Sequence, residues 1–187
     1  ACAGPGGRRG ESEAGGGAAG RGAGPVAYDP QSSPPRDAGL ADRRSKQDKV
    51  NVIFGCYMAS SRKAVRPGIE KWNKLLVYPT LYEGFEFSNN IIYTGAQPNQ
   101  PALPALEWAM SKGYKNIFLL GSDYVYPRTA NLILKKHITD MKGTLAGEEY
   151  VPLGGTEFSS VINKIKAAKP DIIINTLNGD SNVSFFK

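Results

Sequence analysis

From residue 51 onward, short apolar runs alternate with stretches of helical periodicity, and no other feature limits the fold of this chain so sharply. The runs NVIFG (51–55), LLVY (75–78), IIYT (91–94), YKNIFLLG (114–121), TLAGEEYVP (144–152) and DIIINT (171–176) have strand length. Several are near-continuously apolar, the pattern of strands buried on both faces. Between them, 62–72, 98–112, 128–142 and 156–169 carry apolar residues at helical spacing, such as Leu132, Ile133, Ile138 and Met141, then Phe158, Val161, Ile162 and Ile165. Gly143 and Pro170 punctuate the ends of two of these helices. The alternation predicts an α/β fold with parallel sheets flanked by helices. In such sheets ligands sit at the carboxyl ends of strands. Three exit loops there carry hydroxyls or phenols, 57–61, 80–84 and 122–127, and a fourth, 178–181, is polar.

The first 50 residues are of a different kind. They hold 11 of the 22 glycines and a single aromatic residue, Tyr28. With so little to bury, such a stretch cannot offset its ordering entropy, so a disordered Gly/Ala/Arg/Pro-rich tail is expected over 1–44. The net charge of +6 is spread over helix faces, at Lys135, Lys136, Lys164, Lys166 and Lys169, with no interleaved aromatics, which argues against a nucleic-acid surface. Cys2 lies in the tail and Cys56 follows a strand, so a disulfide between them is not expected. No apolar run reaches transmembrane length, and the first thirty residues show no apolar centre of a secretory signal.

Signals for catalysis and metals are weak. Glu83 and Glu86 sit close enough to suggest an acid/base pair, but a loop-holding role suits Glu83 better. His137, the only histidine, lies mid-helix beside Lys135 and Lys136, and a metal site with no second histidine is not expected. Cys56 has no histidine near it in the sequence and suits the role of a small apolar residue at a strand end rather than a nucleophile. Asp123 is read as ordering its turn. Neither a Gly-Lys-Ser/Thr phosphate loop nor a Gly-x-Gly-x-x-Gly fingerprint occurs, so no cofactor is expected.

Four segments carry a resemblance: GCYMASSRKAV (55–65), YPTLYEG (78–84), YTGAQPNQ (93–100) and GSDYVYPR (121–128). Together they resemble the urea and short-chain amide-binding receptors, which have the type I periplasmic-binding-protein fold of solute-binding proteins serving ABC transporters. The resemblance covers 46–187, and 1–44 shares nothing with it. It implies two α/β lobes closing on a ligand, with 45–112 as a partial N-terminal lobe and 113–187 as a partial second lobe. It further implies a non-enzymatic receptor for a small neutral ligand, urea or a short-chain amide, that docks on a membrane permease in a periplasmic or extracytoplasmic setting. The alternative within the same resemblance is a cytosolic amide sensor that regulates transcription through a partner protein. Carried over to this chain, the implied ligand contacts are Tyr57, Ala59, Tyr78, Thr80 and Tyr124. Ala59 departs from the serine usual at that place, and the lost hydroxyl would cost a ligand hydrogen bond of about 1 kcal/mol.

Overall fold

The computed structural model describes residues 26–31 and 33–187, and they form two compact units. The first runs up to Pro79 and includes Ser88–Ile92; the second comprises Thr80–Phe87 and Tyr93–Lys187.

In the first unit, helix α1 (Pro34–Lys46) precedes strand β1 (Val52–Phe54), helix α2 (Ala59–Lys71) and strand β2 (Leu75–Tyr78), and β3 (Ile91–Tyr93) begins there. The sheet order is β1-β2-β3, with β1 and β2 parallel and Val52, Ile53 and Phe54 beside Leu75, Leu76 and Val77. Helix α2 packs on β2 and α1 packs on α2. Helix α1 overturns the expectation of disorder for 34–44. It has no apolar stripe to announce it, yet its ends are well signalled: proline in the first turn, Asp37 near its start and Arg43, Arg44 and Lys46 near its end. These choices suit a helix whose amino end is positive and carboxyl end negative. The face it buries, Asp37, Ala41 and Ser45, is small and largely polar, which a search for apolar periodicity passes over. The expected tail over residues 1–25, and residue 32, lie outside the described residues.

The second unit contains α3 (Ala102–Ser111), β4 (Asn116–Ser122), α4 (Val125–Asp140), β5 (Thr144–Val151), α5 (Ser159–Ala168), β6 (Ile172–Thr176) and the short α6 (Ser181–Phe185). Its sheet has the order β5-β4-β6, and both pairings are parallel. Successive side chains of the central strand β4 point to opposite faces. Ile117 and Leu119 join Leu106, Met110, Leu134 and Ile138 on one side. Phe118 and Leu120 join Val151, Phe158 and Val161 on the other. The parallel α/β arrangement read from the sequence is therefore present, and here it is covered on both faces. Helix α3, which the sequence groups with the first lobe, packs on α4 and shares its core.

Candidate functional site

The expected ligand contacts fall in both units, and each unit presents its own strand-end loops. In the first, β1 is followed by Gly55 and Cys56, and Cys56 has φ +67, a left-handed conformation uncommon for a residue with a side chain. That turn leads into α2, which begins at Ala59, three residues earlier than the sequence pattern places it. Tyr57 stands out from the loop, 61% exposed, whereas Ala59 is buried in the first turn of α2. Tyr78, at the end of β2, is fully buried, with the Arg62 guanidinium carbon 4.8 Å from its ring centroid. Arg62 is itself fully buried, so the cation lies against an aromatic face away from water. Tyr78 is thus part of the packing beneath the loop, and Tyr57 is the aromatic group offered to solvent.

Charge around this turn comes partly from α1, which the sequence reading had set aside. Burial pushes the Cys56 thiol up to about 12; the Asp37 carboxylate pushes the same way, while Arg62 and Arg44 pull against it. The thiol stays protonated at neutral pH, which suits a residue packed at a strand end better than a nucleophile. Burial also raises Asp37, opposed by its hydrogen bond with Ser61 and by the charge of Arg44. Sequence reasoning missed Asp37 and Arg44, and the paired helix-end charges of 37 and 43–46 were the signal available to find them.

The second unit holds Thr80 and Tyr124. Half-buried Thr80 opens a loop fastened from inside. Tyr82 stacks on Tyr93 at 4.1 Å between ring centroids. The Tyr93 hydroxyl donates to Glu86 Oε1 at 2.9 Å. The Glu86 main chain exchanges hydrogen bonds with the Tyr82 hydroxyl, its N–H donating at 3.0 Å and its carbonyl accepting. The Tyr82 N–H donates to the Ala96 carbonyl at 3.0 Å. Gly95 lets the loop lie where it does, since a Cβ there would stand 1.6 Å from the Thr80 carbonyl oxygen. Glu86 is thus a structural acceptor, and the acid/base pairing with Glu83 loses one partner.

Tyr124 caps α4 in an extended conformation, half-buried. Helix α4 starts at Val125 rather than 128 because Pro127 falls in its first turn, where no intrahelical N–H bond is lost. The turn before it is held by main-chain and ionic contacts. Asp123 N–H donates to Val151 O at 2.7 Å, and Tyr124 N–H donates to Ser122 O at 2.9 Å. Arg128 Nε donates to Asp123 Oδ1 at 2.7 Å, holding that carboxyl below its usual range. The same guanidinium lies 4.3 Å from the Tyr150 ring centroid. Burial and the hydrogen bond to Glu148 push the Tyr150 phenol up to about 12. Glu148 also accepts from Lys135 Nζ at 2.7 Å. Asp123 orders its turn, as the sequence suggests, and the partner that makes it do so is Arg128. The fourth loop meets this turn directly: Asn178 N–H donates to the Ser122 hydroxyl at 2.9 Å. His137 pairs with Glu107 at 3.0 Å on an open helix face.

Comparisons with known proteins place these motifs among solute-binding proteins. The family profile described as "Periplasmic binding protein domain" matches residues 10–187. The match reaches well into the stretch that the resemblance above left out. A Leu/Ile/Val-binding protein homolog of Brucella melitensis is 24% identical over 161 residues, 84% of this chain and 41% of that protein. A solved R. palustris solute-binding protein in complex with 4-hydroxybenzoate is 26% identical, with a TM-score of 0.77 over 82% of this chain and 43% of that one. A second, from Rhodopseudomonas palustris BisB5 in complex with 3,4-dihydroxybenzoic acid, is 25% identical, with a TM-score of 0.78 over 86% of this chain and 46% of that one. The chain therefore spans less than half the length of these relatives.

Proposed function

This chain belongs to the periplasmic binding protein domain family, and from that premise we propose that it carries ligand-contacting loops of a solute-binding receptor for urea or a short-chain amide. The receptor delivers its solute to the permease of an ATP-driven importer, outside the cytoplasmic membrane. The observation that supports a neutral ligand is how charge is disposed at the strand-end loops. Asp123 is paired with Arg128 at 2.7 Å, and Glu86 is taken up by Tyr93. The groups expected to meet the ligand, Tyr57, Ala59, Tyr78, Thr80 and Tyr124, are uncharged. Rings and hydroxyls of this kind suit a solute that is small, neutral and rich in hydrogen-bonding groups.

In this mechanism no bond is made or broken. Thr80 and Tyr124 exchange hydrogen bonds with the amide or urea, Tyr57 supplies an aromatic wall, and buried Tyr78 and Ala59 keep the loop floor fixed. Fastening of the loops, by the Tyr82–Tyr93 stack and the Asp123–Arg128 pair, limits the ordering cost on binding.

A second reading, an aromatic carboxylate, is favoured by the R. palustris relatives solved with hydroxylated benzoates. Calorimetry with urea, acetamide and 4-hydroxybenzoate separates the two. Binding of urea or acetamide that Thr80→Val and Tyr124→Phe each weaken about fivefold to tenfold, as one hydrogen bond would, supports the neutral-ligand reading. Binding of 4-hydroxybenzoate alone, or affinities untouched by both substitutions, overturns it.

A further inference from the structure

Tyr124 has a charged residue on either side of it. Asp123 precedes it directly, and the Arg128 N–H donates to the Tyr124 carbonyl at 3.3 Å, one turn into α4. Arg128 Nε donates to Asp123 Oδ1 at 2.7 Å, and the two side chains are 55% and 46% exposed. A pair so open to water adds little to stability. It does not suit the helix either. The amino end of a helix is positive, which disfavours a cation in the first turn, and no acidic residue lies in the first turn of α4. The helix end and the guanidinium are thus two positive sources on one side of the turn, and Asp123 is the carboxylate set against both. The hydrogen bond from Arg128 keeps that carboxyl below its usual range, so it is charged at neutral pH. Arg128 has a second hold on its place. Its guanidinium carbon lies 4.3 Å from the Tyr150 ring centroid. The Tyr150 hydroxyl donates to Glu148, which pairs with Lys135 at 2.7 Å.

We propose that Asp123 is a specificity-determining residue that makes the receptor refuse carboxylates, because it cancels the positive charge of Arg128 and of the α4 amino end beside Tyr124. This rests on the neutral-ligand reading and on Tyr124 as a contact. Acetamide and acetate have nearly the same size and shape and differ in charge. Hydroxyls and rings alone separate them poorly, since a hydroxyl donates or accepts as needed. An anion brought up to Tyr124 meets the Asp123 carboxylate, and the guanidinium that could bond it is already engaged. A like charge set against the wrong ligand is a general means of discrimination. With Asp123 made neutral, the guanidinium, a fork suited to carboxylates, and the helix end lose their counter-charge. The Tyr150 ring still holds that guanidinium near the turn, so the same loop then favours an anion.

Calorimetry with acetamide and with acetate, on the 187-residue chain at neutral pH, tests this. The parent should bind acetamide and not acetate. In Asp123→Asn, whose amide oxygen can still accept from Arg128, the ratio of acetate to acetamide affinity should rise by at least about tenfold. Asp123→Ser should raise it too, so the gain does not hang on one replacement. The double variant Asp123→Asn/Arg128→Gln should lose the gain, because the guanidinium is gone. Asp140→Asn removes the same charge from an exposed pair with Lys136 at the other end of α4, and it should leave acetate unbound. A gain equal in Asp140→Asn would make the effect one of net charge and overturn the proposal. So would a gain that survives in the double variant, or Asp123→Asn and Asp123→Ser chains that take acetamide and still refuse acetate. In each of these cases acetamide binding by the parent stands, and the neutral-ligand reading with it. A parent that binds acetate as well as acetamide overturns the role of Asp123, and a parent that binds neither acetamide nor urea overturns both.

Discussion

Cys56 and Gly95 show how single residues set the terms for the loops around them. The Cys56 thiol rises from 9.0 to about 12 in the folded chain, mainly through burial. In the unfolded chain it titrates near 9, so the folded state keeps a proton that the unfolded state gives up. The stabilisation is whole below about pH 9 and drains away as pH climbs through 12. In a Cys2→Ser background, iodoacetamide at pH 8 should leave folded Cys56 unmodified and alkylate it fully in denaturing urea. The alkaline loss of stability should shrink in Cys56→Ala, a control needed because the Tyr150 phenol also titrates near 12. Gly95 acts by its missing side chain. A Cβ would lie 1.6 Å from the Thr80 carbonyl oxygen, a main-chain atom that cannot swing aside. Gly95→Ala should cost about 3 kcal/mol in urea unfolding and displace Thr80, so solute affinity should fall along with stability. The sequence offered Thr80, Tyr57 and Tyr124 as loop residues, because strand ends and hydroxyls can be read from a string. It could not offer the Tyr82–Tyr93–Glu86 fastening, which depends on two segments lying side by side.

At the level of elements, apolar periodicity located every strand among the described residues and four of the helices there, and it went wrong where a helix is held by something other than apolar burial. Helix α1 buries Asp37, Ala41 and Ser45. Trp72, just beyond the end of α2, donates its indole N–H to Asp42 of α1 at 2.8 Å. A Cβ on Gly68 would come within 3.1 Å of the same Asp42 carboxylate, so α1 and α2 approach closely where glycine allows it. Such a helix reads as polar tail when only hydrophobic spacing is scored. Helices α2 and α4 each start three residues before the stretches of helical spacing at 62–72 and 128–142; α4 admits Pro127 in its first turn, and α2 carries Pro67 inside it. The consequence can be measured by truncation. Removing residues 1–33 takes away the Tyr28 ring that lies against Arg43 and Arg44, and should lower stability by about 1 kcal/mol at most. Removing 1–46 takes away Asp37, Arg44 and the packing on α2, and should lower stability by about 2 kcal/mol or more, since it uncovers Ala41's contacts and leaves Ser61 without its carboxylate. Equal effects of the two truncations would show that α1 contributes nothing to the unit it packs on.

For the whole molecule, the decisive fact is that two compact units differ in how completely their sheets are covered. The second has a seven-residue central strand with apolar clusters on both sides; the first has a shorter sheet with Val52, Phe54 and Ile92 open to water. Burial of apolar area is the main favourable term in folding, so a sheet clothed on one face retains less of it. The chain carries its own reporters, since Trp72 belongs to the first unit and Trp108 to the second. Single-tryptophan variants, Trp108→Phe and Trp72→Phe, allow urea unfolding to be followed in each unit by fluorescence. The Trp72 signal should change at lower urea than the Trp108 signal, breaking the coincidence that a two-state chain must show. Leu134 is fully buried in the second core against Leu106, Ile117 and Ile138. Leu134→Ala should therefore move the Trp108 transition by about 3 kcal/mol, the usual cost of a leucine cavity, and shift the Trp72 transition far less. Coincident transitions that move together in Leu134→Ala would mean the two units fold as one, and the stability of the first would then have to come from the second rather than from its own half-covered sheet.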